Sequence, residues 1–244
     1  MSFDGVLRFG RYAFPPNELG YCGPDDHDAL LGYVVGRRAD QGLIELGRRF
    51  EGAYPYLKLI AESNGIADPF DGRVVEAYWI GNGLLRGVDA QAFRDSLQAR
   101  FAGRMSGGTF AWLGGKPAAG ATPHHNFHVF EVYTRAGLMN GDASGPFLEV
   151  MDSCRISWGR VVAVHPDRLL VSRRPLELAR GKLRLGPARE VTATAGAGGY
   201  IPFVKPGEVV SMHWSWACEV LERGELARLR AATAGALAMC NQTI

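Results

Sequence analysis

The hydrophobic pattern of this chain changes its period near the middle, and this change constrains the fold more than any other feature. Over 24–103, apolar residues recur at helical spacing, as at Leu30, Leu31, Val34 and Val35. Beyond Gly145-Pro146, short runs of β-branched and aliphatic residues replace that pattern. The sequence therefore predicts an α+β protein, with an all-α domain over 1–150 and a second domain over 151–244.

The second domain has the pattern of a small β-barrel. The sequence HPDR at 165–168 is a natural hairpin turn between two aliphatic runs. Further strands are predicted at 176–185, 189–193, 200–204 and 209–214, and short strands at this spacing indicate a barrel. The chain then ends in an amphipathic helix, whose apolar stripe is Leu226, Leu229, Thr233, Leu237 and Cys240.

Charge and hydropathy exclude several partners. The 27 basic and 25 acidic side chains give a net charge of +2, and no block of five like charges occurs. We therefore expect neither a nucleic acid nor a membrane as partner. No apolar run reaches the roughly 18 residues of a spanning helix, and no signal peptide is recognisable, so a cytoplasmic protein is expected.

Four cysteines are candidates for chemistry and not for disulfides. They are widely spaced and include no CxxC pair, which is atypical of a disulfide-rich scaffold: Cys22, Cys154, Cys218 and Cys240. Free thiols or metal ligands are the states that this pattern favours.

Two passages of the second domain carry a family resemblance. One is CRISWGRV at 154–161, and the other is KPGEVVSMHWSWA at 205–217, which precedes an acidic helix start. They resemble the HypC/HupF family of nickel-iron hydrogenase maturation chaperones. That family has a cysteine followed at fixed spacing by glycine, a basic residue and valine, and later a proline-glycine-acidic strand leading to histidine and alanine.

The resemblance implies an OB-like barrel in which Cys154 and His213 hold iron that carries cyanide and carbon monoxide. It also implies a hydrogenase large subunit or other maturation proteins as partners. Family members carry the cysteine directly after the initiator methionine, whereas Cys154 is internal, and Trp158 stands where they have proline. An internal cysteine makes a fixed site within a two-domain protein and not a mobile N-terminal hook.

The residues themselves are consistent with this ligand pair, because a thiolate together with an imidazole suits ferrous iron. Each also has a plainer interpretation. A single free cysteine such as Cys154 is usually a small buried hydrophobe, and His213, between Met212 and Trp214, is typical of a hydrogen-bonded core histidine.

The helical domain contains a second group of candidate ligands. Cys22 and His27 flank a predicted helix start, where Pro24 fits the first helical position and nearby amide groups favour a thiolate. In PHHNFHVFEVY at 123–133, a three-residue apolar repeat favours a helix. On it, His124, His128 and Glu131 share a face at metal-ligand spacing. A capping segment with a packed cysteine, and a loop histidine pair, are the alternatives.

Three functions remain open. The first is a hydrogenase maturation accessory protein that binds or transfers the iron centre. The second is an iron-dependent enzyme whose helical domain acts on a small molecule, such as the precursor of a diatomic ligand, with the barrel as acceptor or docking module. In the third, the barrel has lost its metal and only docks a hydrogenase subunit. No phosphate-binding glycine loop and no nucleophile elbow supports nucleotide or hydrolase chemistry.

Overall fold

A computed structural model describes residues 4–133, 144–196, 200–201 and 203–242. The chain is an α+β protein in which a helical part precedes a five-stranded closed barrel, so the predicted class and the helical first half are confirmed. The helices are α1 (Asp4–Glu18), α2 (His27–Val35), α3 (Gln41–Arg48), α4 (Tyr54–Ser63), α5 (Gly72–Trp79), a 3-10 turn (Gly83–Gly87), α6 (Ala90–Phe101), α7 (Gly107–Gly115), α8 (His125–Phe127) with a π-helical turn (His128–Tyr133), α9 (Ser144–Cys154) and α10 (Arg223–Cys240).

Side-chain caps set where several of these helices begin. Asp40, Asp71 and Asp89 each accept hydrogen bonds from amide groups in the first turn of α3, α5 and α6, and Ser106 does so for α7. These bonds satisfy amide groups that have no partner within the helix.

Helix α1 lies at the centre of the molecule, although the apolar spacing did not predict it. Its face towards α5 requires a glycine, because a Cβ atom on Gly5 would lie 1.9 Å from the carbonyl oxygen of Phe70. Pro15 and Pro16 stand within its last turns, and both are buried. Prolines that end a helix obscure the helical pattern in the sequence.

The second part is a barrel with a small hairpin beside it. The strands are β1 (Ser157–Val164), β2 (Arg168–Arg173), β3 (Leu176–Ala179), β4 (Lys182–Leu185), β5 (Arg189–Thr194), β6 (Val209–His213) and β7 (Trp216–Val220). The barrel closes in the order β1-β2-β5-β7-β6, and β3-β4 form a separate two-stranded sheet. Neighbouring barrel strands are antiparallel except β5 and β7, which are parallel at Thr194 and Trp216.

Two strand predictions differ from the structure. The described residues of 200–204 form no strand, because Tyr200 instead packs into the core beside Trp216, with ring centroids 4.6 Å apart. Strand β7 was not predicted, since only Trp214 and Ser215 separate it from β6, too short a break to see in an apolar run. The hairpin at 165–168 is confirmed.

The helical part and the barrel share their largest hydrophobic core. It combines side chains of α1 to α7 with Ile156, Tyr200 and Cys218 from the barrel. Polar contacts cross the same boundary: Arg8 forms an ion pair with Glu219, and the Tyr200 hydroxyl donates to the Arg11 carbonyl. The predicted division at residue 150 falls inside α9 and stays a prediction.

Among the described residues, no helix is both long enough and apolar enough to cross a membrane.

Candidate metal centre

Three donor side chains converge where the helical part meets the barrel. His125 is the first residue of α8, Cys154 the last of α9 and His213 the last of β6. Their ligand atoms all lie within 4.8 Å of one another. A backbone hydrogen bond of 2.7 Å from Trp214 to the carbonyl of Ser153 joins the two segments that carry Cys154 and His213. The end of α9 and the end of β6 are thus fixed side by side.

The ring of His213 is oriented by α1. Its Nδ1 atom lies 2.6 Å from the carbonyl oxygen of Tyr12, and because a carbonyl only accepts, Nδ1 carries the proton. The Nε2 atom then has its lone pair exposed to the site. The side chain is buried, and Nε2 makes no hydrogen bond of good geometry with any described group, although the backbone of Cys154 is near the ring. A buried imidazole nitrogen without a partner is what a metal ligand requires.

His125 makes contacts at both ring nitrogens. Nδ1 lies 3.1 Å from the hydroxyl of Tyr78, while Nε2 lies 2.9 Å from the carbonyl oxygen and 3.9 Å from the Sγ atom of Cys154. Trp79 packs against the rings of both His125 and His213, at 4.7 and 5.6 Å between centroids. To bind an ion through Nε2, His125 must exchange the Cys154 carbonyl for it.

Burial sets the protonation of all three donors. It lowers the pKa of His213 to about 4, although the carbonyls of Tyr12 and Cys154 partly oppose the shift. Burial lowers the pKa of His125 well below its usual value, and the positive charges that His213 and His128 can take add to the effect. Burial also raises the pKa of the Cys154 thiol to about 12. At neutral pH both imidazoles are free bases, and the thiol must lose a proton to bind a metal.

The donor set fits a transition metal ion. Metal-sulfur and metal-nitrogen bonds of about 2.3 and 2.0 Å place ligand atoms roughly 3.5 Å apart, so the observed spacing needs only small shifts. Neutral imidazoles and a thiolate suit iron, zinc and copper better than magnesium or calcium. The His125, Cys154 and His213 group could therefore hold a metal ion.

The structure brings the predicted pair Cys154 and His213 together and adds His125, which the sequence argument did not select. The prediction assumed a helix that already includes residue 124, which pairs 124 with 128. The helix begins at His125, and His124 caps it by accepting a hydrogen bond from the amide of Asn126. His125 and His128 therefore share a face. A cap signal at His124 is the feature that shows this register.

The second group of candidates does not assemble as predicted. His124 and Glu131 line a different cavity, against α10, and Glu131 pairs with Lys116 at 3.0 Å. His27 begins α2 and lies outside both cavities. Within the described part of the chain, His125, Cys154 and His213 are the one group of three or more His, Cys, Asp or Glu donors at metal-binding distances.

Cys22 and His128 do lie near the candidate centre. They line the same cavity as His125, Cys154 and His213, which has a volume of roughly 80 Å³ and mostly apolar walls. The expected low pKa of Cys22 is wrong, because α2 begins only at His27 and offers no amide groups there. Burial instead raises the pKa of the Cys22 thiol to about 11.

Fold and site together define an α+β protein with a buried His/Cys/His group between a helical part and a β-barrel. The chain belongs to the family of unknown function DUF6390, which matches residues 1–244. No curated protein and no solved structure matches it.

Proposed function

We propose that this chain is an accessory protein of nickel-iron hydrogenase maturation that carries iron at His125, Cys154 and His213. The observation that carries the proposal is the buried Nε2 atom of His213, which has no hydrogen-bond partner among the described groups and belongs to the same cluster as Cys154. The family has no known function, so the proposal depends on the site and on the two sequence passages at 154–161 and 205–217.

The barrel supports the resemblance of 154–161 and 205–217 to HypC/HupF chaperones. Counted along the chain, its strands close in the order one, two, three, five, four, with the third and fifth parallel. We interpret this order as an OB-like barrel. The first passage leads into β1 and the second forms β6, and these two strands pair along Ser157–Arg160 and Val209–Met212.

The chemistry of the site suits ferrous iron with diatomic ligands. A thiolate and neutral imidazoles bind such iron, and cyanide or carbon monoxide would complete its coordination when it is bound. The cavity beside the donors has roughly 80 Å³, which limits any further ligand to a few atoms. Aromatic rings pack against the group, because Trp79, a core residue of the helical part, lies beside both histidine rings. A hydrogenase large subunit or another maturation protein is the partner that the proposal requires.

The test is an anaerobic preparation of the full chain, co-expressed with hydrogenase maturation proteins, examined for iron and by infrared spectroscopy. We expect iron and bands of bound cyanide and carbon monoxide, both lost in Cys154→Ala and in His213→Gln. Cys240→Ser is the matched control, because that thiol lies outside the cavity and donates to the Phe130 carbonyl. Wild-type protein without iron and without such bands would overturn the proposal.

A second candidate is an iron-dependent enzyme that acts on a small molecule. The observation that favours it is the cavity, which adjoins the metal donors and extends to His128 of the helical part. Turnover of a small substrate that depends on His128 and persists in Cys154→Ala would support the enzyme over the carrier.

A further inference from the structure

The cavity beside the candidate centre has a second pair of soft donors at its outer end. His125 and His213 are buried, with 5% and 1% of their surface exposed, whereas Cys22 and His128 are only partly buried. All four line the same cavity. Cys154 is likewise partly buried, so the three donors Cys22, His128 and Cys154 lie closer to solvent than the two histidines of the inner group.

Gly52 keeps the space between these two donors open. The Sγ atom of Cys22 and the Nε2 atom of His128 each lie 3.8 Å from the position that a Cβ atom on Gly52 would take. The backbone of Gly52 has no left-handed conformation that would by itself require glycine. The absent side chain thus leaves room for an ion or small ligand beside both the thiol and the imidazole.

Both donors are held in place by the helical part. Asn17 donates to the carbonyls of Cys22 and Pro24, at 2.8 and 2.7 Å, which fixes the segment after α1. The Nδ1 atom of His128 faces the hydroxyl of Tyr56 at 3.5 Å, so its Nε2 atom is the one beside Gly52.

The outer pair is also close to the inner group. The rings of His128 and His125 are nearly parallel, with centroids 6.5 Å apart. Cys22 lines the same cavity as Cys154. The two sets of donors are therefore neighbours within one cavity.

We propose that Cys22 and His128 form an outer metal position, through which a divalent transition metal ion reaches the group of His125, Cys154 and His213. This inference rests on the proposed metal binding. Two protein ligands hold an ion more weakly than three. An ion bound by Cys22 and His128 therefore moves to the three ligands of the inner group.

The experiment measures the rate of Co²⁺ uptake by the full chain under anaerobic conditions, from the thiolate-to-cobalt absorption after rapid mixing. We expect Cys22→Ser, His128→Gln and Gly52→Ala to slow uptake by about tenfold. The final spectrum and the equilibrium affinity stay within about twofold of wild type, because the inner ligands remain. Gly52→Ala is the sharpest variant, since it fills the space and leaves both donors in place.

Cys240→Ser is the control, and its uptake rate should equal that of wild type. Thermal unfolding of each variant shows that it is folded, and Cys22→Ala replaces Cys22→Ser if serine is not tolerated. Unchanged rates in the folded variants would overturn the outer position. So would loss of thiolate-to-cobalt absorption at equilibrium in Cys22→Ser, which would make Cys22 a permanent ligand. A wild-type protein that binds no Co²⁺ would instead refute metal binding itself, and the outer position with it.

Discussion

The carbonyl oxygen of Tyr12 accepts a hydrogen bond of 2.6 Å from Nδ1 of His213, 201 positions further along the chain. The first helix thereby fixes the tautomer of a histidine on the barrel and leaves Nε2 as its ligand atom. Metal-binding histidines commonly have such a partner on the other ring nitrogen. Because the hydrogen bond comes from backbone, α1 belongs to the site although none of its side chains is a ligand.

Replacement of Tyr12 by phenylalanine should separate stability from metal binding. The buried hydroxyl lies 2.7 Å from Ser211 Oγ and 2.6 Å from a carboxylate oxygen of Glu219, and its loss leaves both with one partner fewer. We expect the free energy of unfolding to fall by about 1–3 kcal/mol, measured by urea denaturation. Affinity for Co²⁺ should stay within about twofold, because the carbonyl that orients His213 remains.

Tyr33→Phe is the control for that experiment. Tyr33 lies on α2 and is only partly buried, and the loss of its hydroxyl, which bonds the Asp40 carboxylate, should cost less than about 1 kcal/mol. A large fall in affinity without a fall in stability for Tyr12→Phe would contradict the prediction.

The helical and barrel halves could be predicted because each has a regular apolar period. Helix α10 shows this. Of its predicted apolar stripe, Leu229, Thr233, Leu237 and Cys240 are buried, and Leu226 is partly buried. Strand β7 and helix α1 could not be predicted, since a two-residue turn hides the first and two prolines obscure the second. The spacing of apolar residues does not reveal such short turns, nor helices whose proline content is tolerated because of their tertiary packing.

The site was predictable only where a motif marked it. The two passages select Cys154 and His213, but nothing in them concerns His125, whose place depends on where α8 begins. A shift of one residue in a helix start turns a side chain by about 100° and decides which histidine faces the cavity. The role of Glu131 depends likewise on Lys116, fifteen positions earlier, which no local pattern connects to it.

A buried carboxylate near Cys154 should be essential for stability. Asp152 pairs with Arg155 at 2.8 Å and Arg173 at 2.5 Å, and it accepts a hydrogen bond from the amide of Leu176. In Asp152→Asn the guanidinium of Arg155, which is 1% exposed, loses its counter-charge. We expect unfolding free energy to fall by about 3–5 kcal/mol in urea denaturation.

Asp167→Asn is the matched control, because Asp167 pairs with Arg168 on the surface and should contribute about 0–1 kcal/mol. Equal effects of the two substitutions would show that the buried network does not hold the end of α9.

Metal binding should release one proton over the neutral range. Between about pH 5 and pH 8 the imidazoles are already neutral, because the pKa of His213 is lowered to about 4 and that of His125 lies well below its usual value. The Cys154 thiol, with its pKa raised to about 12, is protonated in the free protein and must ionise. Affinity for Co²⁺ should therefore rise about tenfold per pH unit.

Titration calorimetry in buffers of different ionisation enthalpy counts the protons released. One proton per Co²⁺ is expected, and none in a Cys154→Ala variant that still binds the ion. An affinity independent of pH in the wild type would mean that the thiol is not a ligand.

Replacement of Glu131 by glutamine should destabilise the fold and leave the metal centre intact. Glu131 pairs with Lys116, and both side chains are buried, at 1% and 7% exposed. In the variant the buried ammonium of Lys116 loses its counter-charge, while its contact over the Trp112 ring, at 4.1 Å, remains. We expect unfolding free energy to fall by about 3–5 kcal/mol in urea denaturation, with Co²⁺ affinity unchanged.

Glu62→Gln, which removes an exposed ion pair with Lys58, is the control and should cost no more than about 1 kcal/mol. Loss of Co²⁺ binding in a Glu131→Gln protein of normal stability would instead place this carboxylate among the metal ligands.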